Sequence, residues 1–393
     1  MKKTAGMKSR IWLLKILQIP KADSEYTTLN PIGTLHPGEV LLEYLESSGW
    51  TQRDLARRSG VTPKTISEIC NRKAPISPRT SLAFEKVFRR PARFWLNLQR
   101  QFDETAAREE FRRRSKEWVG WYKKFPVTEL KKLGLLHDTG GTSFDPEPLL
   151  EFLGVSSPDA WDEVWKASRI AFRQTMKINA NIEHIFAWVR ATEYFAEQVK
   201  VEEFEKSKAL NSISQLRECT TMSLEEGIAE AQSICASSGI ALVVVPGFKN
   251  TGISGCARWL SPGKAMIALT DRYELEDQFW FALFHEIAHI LLHGKTLGFV
   301  IDNAVNDLFD KAVDPVMQKQ EEEANRFAAD TMIPPDFLFE FVKNHVFSND
   351  SIKNFSKNIG ISPGITVGRL QHDEILKPFQ GNNLKLRLNW FPT

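Results

Sequence analysis

The apolar positions of the chain follow three regimes. Over residues 34–100 they recur at helical spacing and are interrupted by dense cap and turn signals. Over 101–235 the helical spacing continues in a charged background. That stretch holds two aromatic-rich segments, Trp118/Trp121/Tyr122 and Trp161/Trp165, and a Gly-, Pro- and Asp-rich break over 137–148. From Gly239 the character changes. Residues 240–245 form a β-branched apolar run that predicts a buried strand. Residues 254–260 and 264–269 predict two more strands, with Ser261, Pro262 and Gly263 as the turn between them. Helical spacing returns over about 276–293 and again over about 318–331, and the remainder is weakly patterned.

These patterns predict a mainly α chain with a small α+β domain. The expected divisions are an extension over 1–33, a helical bundle over 34–104, a helical middle region over 105–220, an α+β domain over 221–345 and a tail over 346–393. At 393 residues the chain suits two or three domains, and 42% hydrophobic with 25% charged residues excludes a disordered polymer. Charge changes the picture more. The formal net charge is +2, yet residues 36–100 carry 12 Lys/Arg against six Asp/Glu, so one segment is built to meet an anion. Cys70, Cys219, Cys235 and Cys256 are scattered without a CxxC pair, which argues against a disulfide framework and a Cys-based metal site. Lys2, Lys3, Lys8 and Arg10 precede an apolar stretch over 11–19, but Lys15 interrupts it and no small-residue cleavage site follows, which disfavours a signal peptide. No stretch is apolar for long enough to span a bilayer, so the expectation is a cytoplasmic protein with no membrane partner.

In the basic segment, Thr51 followed by Asp54 predicts a capping box, and Gly60 supplies the left-handed turn that ends the helix. Thr62 caps the next helix, and Pro63 at its first position loses no hydrogen bond. Leu55, Ala56, Val61, Ile66 and Ile69 then share one small core. That leaves Lys64, Thr65, Ser67, Glu68 and Asn71 facing outward on the second helix, with residue types that bond base edges or phosphates in a major groove. Arg53, Arg57, Arg72, Lys73 and Arg79 suit phosphate contacts. Glu68 suits either a cytosine or solvent. An ordinary bundle with a charged face would show the same periodicity. The wording is more specific: Leu35-His-Pro-Gly-Glu-Val40, Trp50-Thr-Gln-Arg-Asp-Leu-Ala56, Thr65-Ile-Ser-Glu-Ile69, Ile76-Ser-Pro78 and Phe94-Trp-Leu-Asn-Leu98 resemble the Cro/repressor-type helix-turn-helix, most closely its HigA-type antitoxin branch. The resemblance implies a five-helix bundle, a homodimer, and repression at a double-stranded operator of a toxin–antitoxin operon.

The second chemical signal is His285-Glu-Ile-Ala-His289. Residues i and i+4 lie on one helix face, so both imidazoles reach one zinc ion, and Glu286 beside them suits a general base. The motif sits among Phe279, Trp280, Phe281, Leu283 and Phe284 on one side and Ile290 to Leu292 on the other. Burying two histidines and a glutamate there is costly unless something pairs with them. Downstream, Glu321 and Asn325 are also spaced i to i+4, which lets one face present a carboxylate ligand and an amide that braces a ligand histidine. Glu322 and Glu323 are expected to point to solvent, and three consecutive glutamates also suit a wholly solvated face. His293 suits substrate contact, capping or the core. Ser254 and Arg258, on an expected edge strand, suit an extended peptide, and Arg258 equally suits a structural ion pair.

Gln278-Phe-Trp-Phe-Ala-Leu-Phe-His-Glu-Ile-Ala-His-Ile-Leu-Leu-His293, followed by Glu321-xx-Ala-Asn-x-Phe-Ala-Ala329, resembles the ImmA/IrrE family of zinc metallopeptidases over about residues 220–340. The resemblance implies a zincin-like fold, Zn2+ held by His285, His289 and Glu321, and Glu286 as the catalytic residue. The family's Leu-Leu-Met-Pro ending stands here as Thr331-Met-Ile-Pro334. Three readings follow. The chain is a regulator whose peptidase domain cleaves a repressor or itself; or an antitoxin that binds a toxin, with the peptidase fold as scaffold or sensor; or an enzyme recruited to a protein substrate by its N-terminal domain. The intact HExxH and Glu321 favour the first.

Overall fold

The computed structural model describes residues 35–137, 144–165, 181–272, 274–294, 300–303 and 315–388. The expected N-terminal extension and the apolar stretch over 11–19 lie outside these residues. The described chain divides into two compact units, with the boundary between Val119 and Gly120.

The first unit is a succession of five helices: α1 Pro37–Ser48, α2 Gln52–Ser59, α3 Pro63–Cys70, α4 Pro78–Phe88 and α5 Ala92–Ser115. Side chains close most of their N-termini. Thr51 Oγ1 accepts from Asp54 N at 3.2 Å while Asp54 Oδ2 accepts from Thr51 N at 3.0 Å, the expected capping box. Gly60 takes the left-handed conformation at φ 71° and returns its N–H to Ala56, so α2 stops where the sequence predicts. Thr62 and Ser77 cap α3 and α4, each followed by proline. His36 does the same for α1, accepting from Gly38 N at 2.9 Å through Nδ1. Leu41, Leu55, Ile66, Ile69, Phe84 and Trp95 are fully buried and form the core, with Val61 packed at its margin.

The second unit is built around a four-stranded sheet. Before it come α6 Glu147–Leu153, α7 Ile182–Gln198, α8 Ile213–Cys219 and α9 Leu224–Ser237. The strands are β1 Ile240–Val244, β2 Ile253–Ser261, β3 Lys264–Leu269 and β4 Val300–Asn303, in the order β1-β3-β2-β4. β1 runs parallel to β3, and β2 is antiparallel to both of its neighbours. All of β1 and most of β3 are buried because both faces are covered. Ile240, Leu242, Val244, Ile267 and Leu269 meet one apolar core, while Ala241, Val243, Met266 and Ala268 meet another, formed with Trp161, Phe186 and Trp188. The described residues of 105–220 are therefore divided between the two units. α5 ends at Ser115 within the first unit, and α6 and α7 belong to the layer that covers the sheet.

β3 is followed by α10 Glu276–Ala288 and a π-helical turn over His289–His293, and β4 by α11 Pro315–Met332, α12 Pro335–Lys343, α13 Asn349–Ile359 and α14 Pro363–His372. Of the residues expected to form a tail, those described, over 346–388, instead help complete the core. Ile352, Ile361, Ile365, Val367 and Leu370 are buried in the cluster that contains Phe279, Leu283 and Ile287 of α10. Close approach makes this possible. A Cβ on Gly364 would lie 2.3 Å from Glu276 Oε1, and one on Gly368 2.4 Å from Asp277 Oδ2. Glu276 accepts from Ser362 Oγ at 2.8 Å and from Leu386 N at 3.0 Å, while Lys385 Nζ sits 2.6 Å from Asp277. Arg217 of α8 donates to the end carbonyls Met332 O at 3.2 Å and Ile359 O at 2.9 Å, tying α11 and α13 together. The four cysteines are buried and free. Among the described residues no helix is long and apolar enough to cross a membrane.

Gly38 offers a direct check on the first unit, because a Cβ there would stand 2.1 Å from the carbonyl oxygen of Ile69 on α3. Backbone cannot swing aside as a side chain does, so Gly38→Ala is expected to destabilise this unit by about 1–3 kcal/mol in chemical denaturation. An unchanged midpoint would show that α1 and α3 do not pack this closely.

Candidate functional site

The outward face of α3 lies on the first unit. Lys64 and Asn71 are exposed, and Thr65, Ser67 and Glu68 are half-buried on the rim of the same face. Asn71 donates from Nδ2 to Ser67 O at 2.8 Å, which holds the end of α3. Thr65 shares a hydroxyl contact of 2.8 Å with the capping Thr62. Lys64 Nζ stands 3.9 Å from Glu68, a long and exposed pair that leaves the ammonium available. Arg53, on α2 beside the turn to α3, is exposed, as is Lys73. Arg72, at φ 60°, is ion-paired with Glu39 of α1, so the expected phosphate contact competes with an internal partner. Arg57 is held at 2.8 Å by Asp54.

The second constellation is assembled from α10, the π turn and α11. His285 Nε2 and His289 Nε2 lie 2.9 Å apart. Glu321 reaches both, with Oε2 3.2 Å from His285 Nε2 and Oε1 3.4 Å from His289 Nε2. The three side chains offer ligand atoms within 4.8 Å of one another, two imidazole nitrogens and one carboxylate, which is a donor set for a divalent ion. The rings are braced from behind. His285 Nδ1 donates to Asn325 Oδ1 at 3.0 Å, and His289 Nδ1 stands 3.1 Å from His293 Nδ1. Both histidines and Glu286 are almost wholly buried. Burial, then the neighbouring His285, lowers the His289 pKa to about 3, so this ring is neutral and its nitrogen lone pair is available. Burial pushes the Glu321 carboxyl up, but the close contact with His285 and the surrounding histidines outweigh it and hold the carboxyl below its ordinary value.

Glu286 points to β2. A Cβ on Gly255 would lie 2.6 Å from Glu286 Oε1, so a glycine at this strand position makes room for the carboxylate. Nothing in the sequence pattern singles out Gly255. Other expectations change. β2 pairs with β3 on one side and, over Ile253–Ala257, with β4 on the other, so at Ser254 it is an interior strand whose backbone is committed to the sheet. Ser254 is buried, and its carbonyl accepts from Thr270 N at 3.0 Å and Thr270 Oγ1 at 3.2 Å. Arg258 is ion-paired with Glu193 of α7, which also takes Arg190 at 3.1 Å, so the structural alternative for Arg258 accounts for it. Glu323, at the surface, is not wholly solvated: its Oε2 lies 3.2 Å from the buried His293 Nε2. The spacing His285, His289, His293, each four residues on, is the sequence signal for that link.

Two family models match the chain. Residues 41–95 match a helix-turn-helix family, and residues 249–370 match the IrrE N-terminal-like domain. The virulence-associated protein I of Dichelobacter nodosus is 36% identical over 75 residues, 19% of this chain and 69% of that protein. The uncharacterized HTH-type transcriptional regulator YddM of Escherichia coli K12 is 30% identical over 63 residues, 16% of this chain and 67% of that protein. Among solved structures, an addiction module antidote protein of a HigA family from Coxiella burnetii is 28% identical, covering 22% of this chain and 97% of that one, with a TM-score of 0.21. The antitoxin GraA is 30% identical, covering 23% of this chain and 95% of that one, with a TM-score of 0.21. The chain belongs to the helix-turn-helix family of DNA-binding regulators. It carries an IrrE-like peptidase domain on the same polypeptide.

Two measurements check these surfaces. Replacing both Lys64 and Asn71 with alanine is expected to weaken DNA binding in a salt-controlled mobility assay and to lower the salt slope by about 1, the share of one phosphate contact. Unchanged binding would take α3 out of the groove. Gly255→Ala, which crowds the Glu286 carboxylate, is expected to cost the second unit about 1–3 kcal/mol in denaturant unfolding; full stability would mean that β2 moves freely away from Glu286.

Proposed function

We propose that this chain is a sequence-specific DNA-binding regulator whose IrrE-like domain is a zinc-dependent endopeptidase acting on a repressor or another regulatory protein. The observation that carries the reading is the convergence of His285, His289 and Glu321, from two helices, beside a buried Glu286. Two imidazoles and one carboxylate match the ligand types of a catalytic zinc site, which keeps a fourth position for water or substrate. Zinc bound there supplies Lewis acidity, polarising a scissile carbonyl and lowering the pKa of water. Glu286 takes the proton of the attacking water on its carboxylate and returns it to the leaving amine. Gly255 lets that carboxylate lie against β2, and Asn325 keeps His285 Nδ1 occupied, so that Nε2 would be the nitrogen that holds an ion. The N-terminal unit binds an operator as a homodimer through Lys64, Thr65, Ser67, Glu68 and Asn71, with Arg53, Arg72 and Lys73 at the phosphates.

The purified chain is expected to hold stoichiometric zinc by elemental analysis, and to lose it in His285→Ala or Glu321→Ala. Glu286→Gln keeps the metal and loses cleavage when incubated with zinc and candidate repressors from the same cell. A native protein without zinc affinity sinks the peptidase reading. A zinc-loaded protein that cleaves none of these repressors points instead to an antitoxin that represses its operon and contacts a toxin, with the peptidase fold as a scaffold.

A further inference from the structure

The proposed ligand set uses one nitrogen of each histidine, and the other nitrogen of His289 leads away from it. Its Nδ1 lies 3.1 Å from His293 Nδ1, and His293 Nε2 lies 3.2 Å from Glu323 Oε2 on α11. His293 is 5% exposed in its side chain, so it is held between the two helices. Glu323 in turn lies at the surface, 3.8 Å from Lys319 Nζ.

Only one proton arrangement satisfies this chain and also leaves His289 able to bind a metal. Ligation through Nε2 requires the His289 proton on Nδ1. That N–H then donates to His293 Nδ1, which must be the acceptor. The remaining proton of His293 sits on Nε2 and donates to Glu323 Oε2. Reverse the first bond and His289 carries its proton on Nε2, where no ion can be held. Resting on the metallopeptidase reading, we infer that His293 and Glu323 form a positioning pair that locks His289 in its metal-binding tautomer and ring orientation.

The backbone is shaped for it. His289–His293 is a π-helical turn, a form that recurs at functional positions and shifts side chains relative to an α-helix. The turn ends at Gly294, whose φ 66° and ψ −155° belong to a region open essentially to glycine alone. Gly294 O accepts from Trp259 Nε1 of β2 at 3.0 Å, which pins the end of the turn to the sheet. His285 and His289 are thus braced differently, one by the Asn325 amide and the other by an imidazole–carboxylate chain that joins the π turn to α11.

The test is zinc affinity by competition with a chromophoric chelator, together with the visible spectrum of the cobalt-substituted protein. It uses the full chain and the variants His293→Phe, His293→Gln and Glu323→Ala. His293→Phe is expected to weaken zinc binding by about 10–100-fold and to shift the cobalt bands, as loss of an outer partner of a ligand does. His293→Gln, whose amide oxygen accepts from His289 Nδ1, restores most of the affinity. Glu323→Ala weakens binding by a smaller factor and adds nothing in the His293→Phe background. Equal zinc affinity and an unchanged cobalt spectrum in His293→Phe overturn the inference. So does a loss that His293→Gln fails to restore, which marks a packing effect. A parent chain that takes up no zinc defeats the metallopeptidase reading itself, whereas a zinc-binding parent with an equally tight His293→Phe defeats only the pair.

Discussion

Placing three hydrogen-bonding side chains inside one of the most apolar helices of the chain is the constraint from which the second unit follows. His285, Glu286 and His289 lie among Phe279, Trp280, Leu283, Phe284, Ile287 and Ile290, all buried. Polar groups in such a setting are expensive unless each has an answering group. The fold brings those groups in from outside α10. α11 delivers Glu321, Asn325 and Glu323, and β2 offers a position without a side chain at Gly255. The sheet, the helices behind it and the C-terminal helices together hold these elements in register.

The two units differ in how much of them the sequence discloses. In the first unit, structure is written locally. A threonine with an aspartate three residues later, a glycine at the end and a threonine–proline pair at the next start are short-range devices, and they mark α2 and α3 to within a residue. The ligand spacing is equally local, since i and i+4 on a helix share a face wherever the helix lies. β1 was legible as a β-branched apolar run that predicts burial, and β2 and β3 as strands on either side of a three-residue turn.

What was not legible is what depends on partners distant in sequence. β2 reads as an edge strand until β4 is placed beside it, and the β4 run Val300–Asn303 is too short and polar to announce itself. Residues 346–393 carry their apolar positions one or two at a time between lysines, asparagines and serines, so their period is weak. Yet Ile352, Ile361, Ile365 and Leu370 are buried because α10 supplies the other half of the core. The same holds for Glu323, which reads as one of three solvated acids until His293 is found opposite it. Arg258 goes the other way: its charge suggests a substrate contact, and Glu193 on α7 satisfies it internally.

The glycine pair on α14 has a mechanical corollary. Gly364 and Gly368 let that helix rest against the opening turn of α10, where Ser362 and Lys385 answer Glu276 and Asp277. The helix that carries the HExxH residues is thus moored at its beginning by the far end of the polypeptide and near its finish by α11. Shortening the chain after α12 would strip two inward-facing acids of their counterparts and loosen the first mooring. Residues 344–388 are therefore part of the foundation on which the ligand geometry stands.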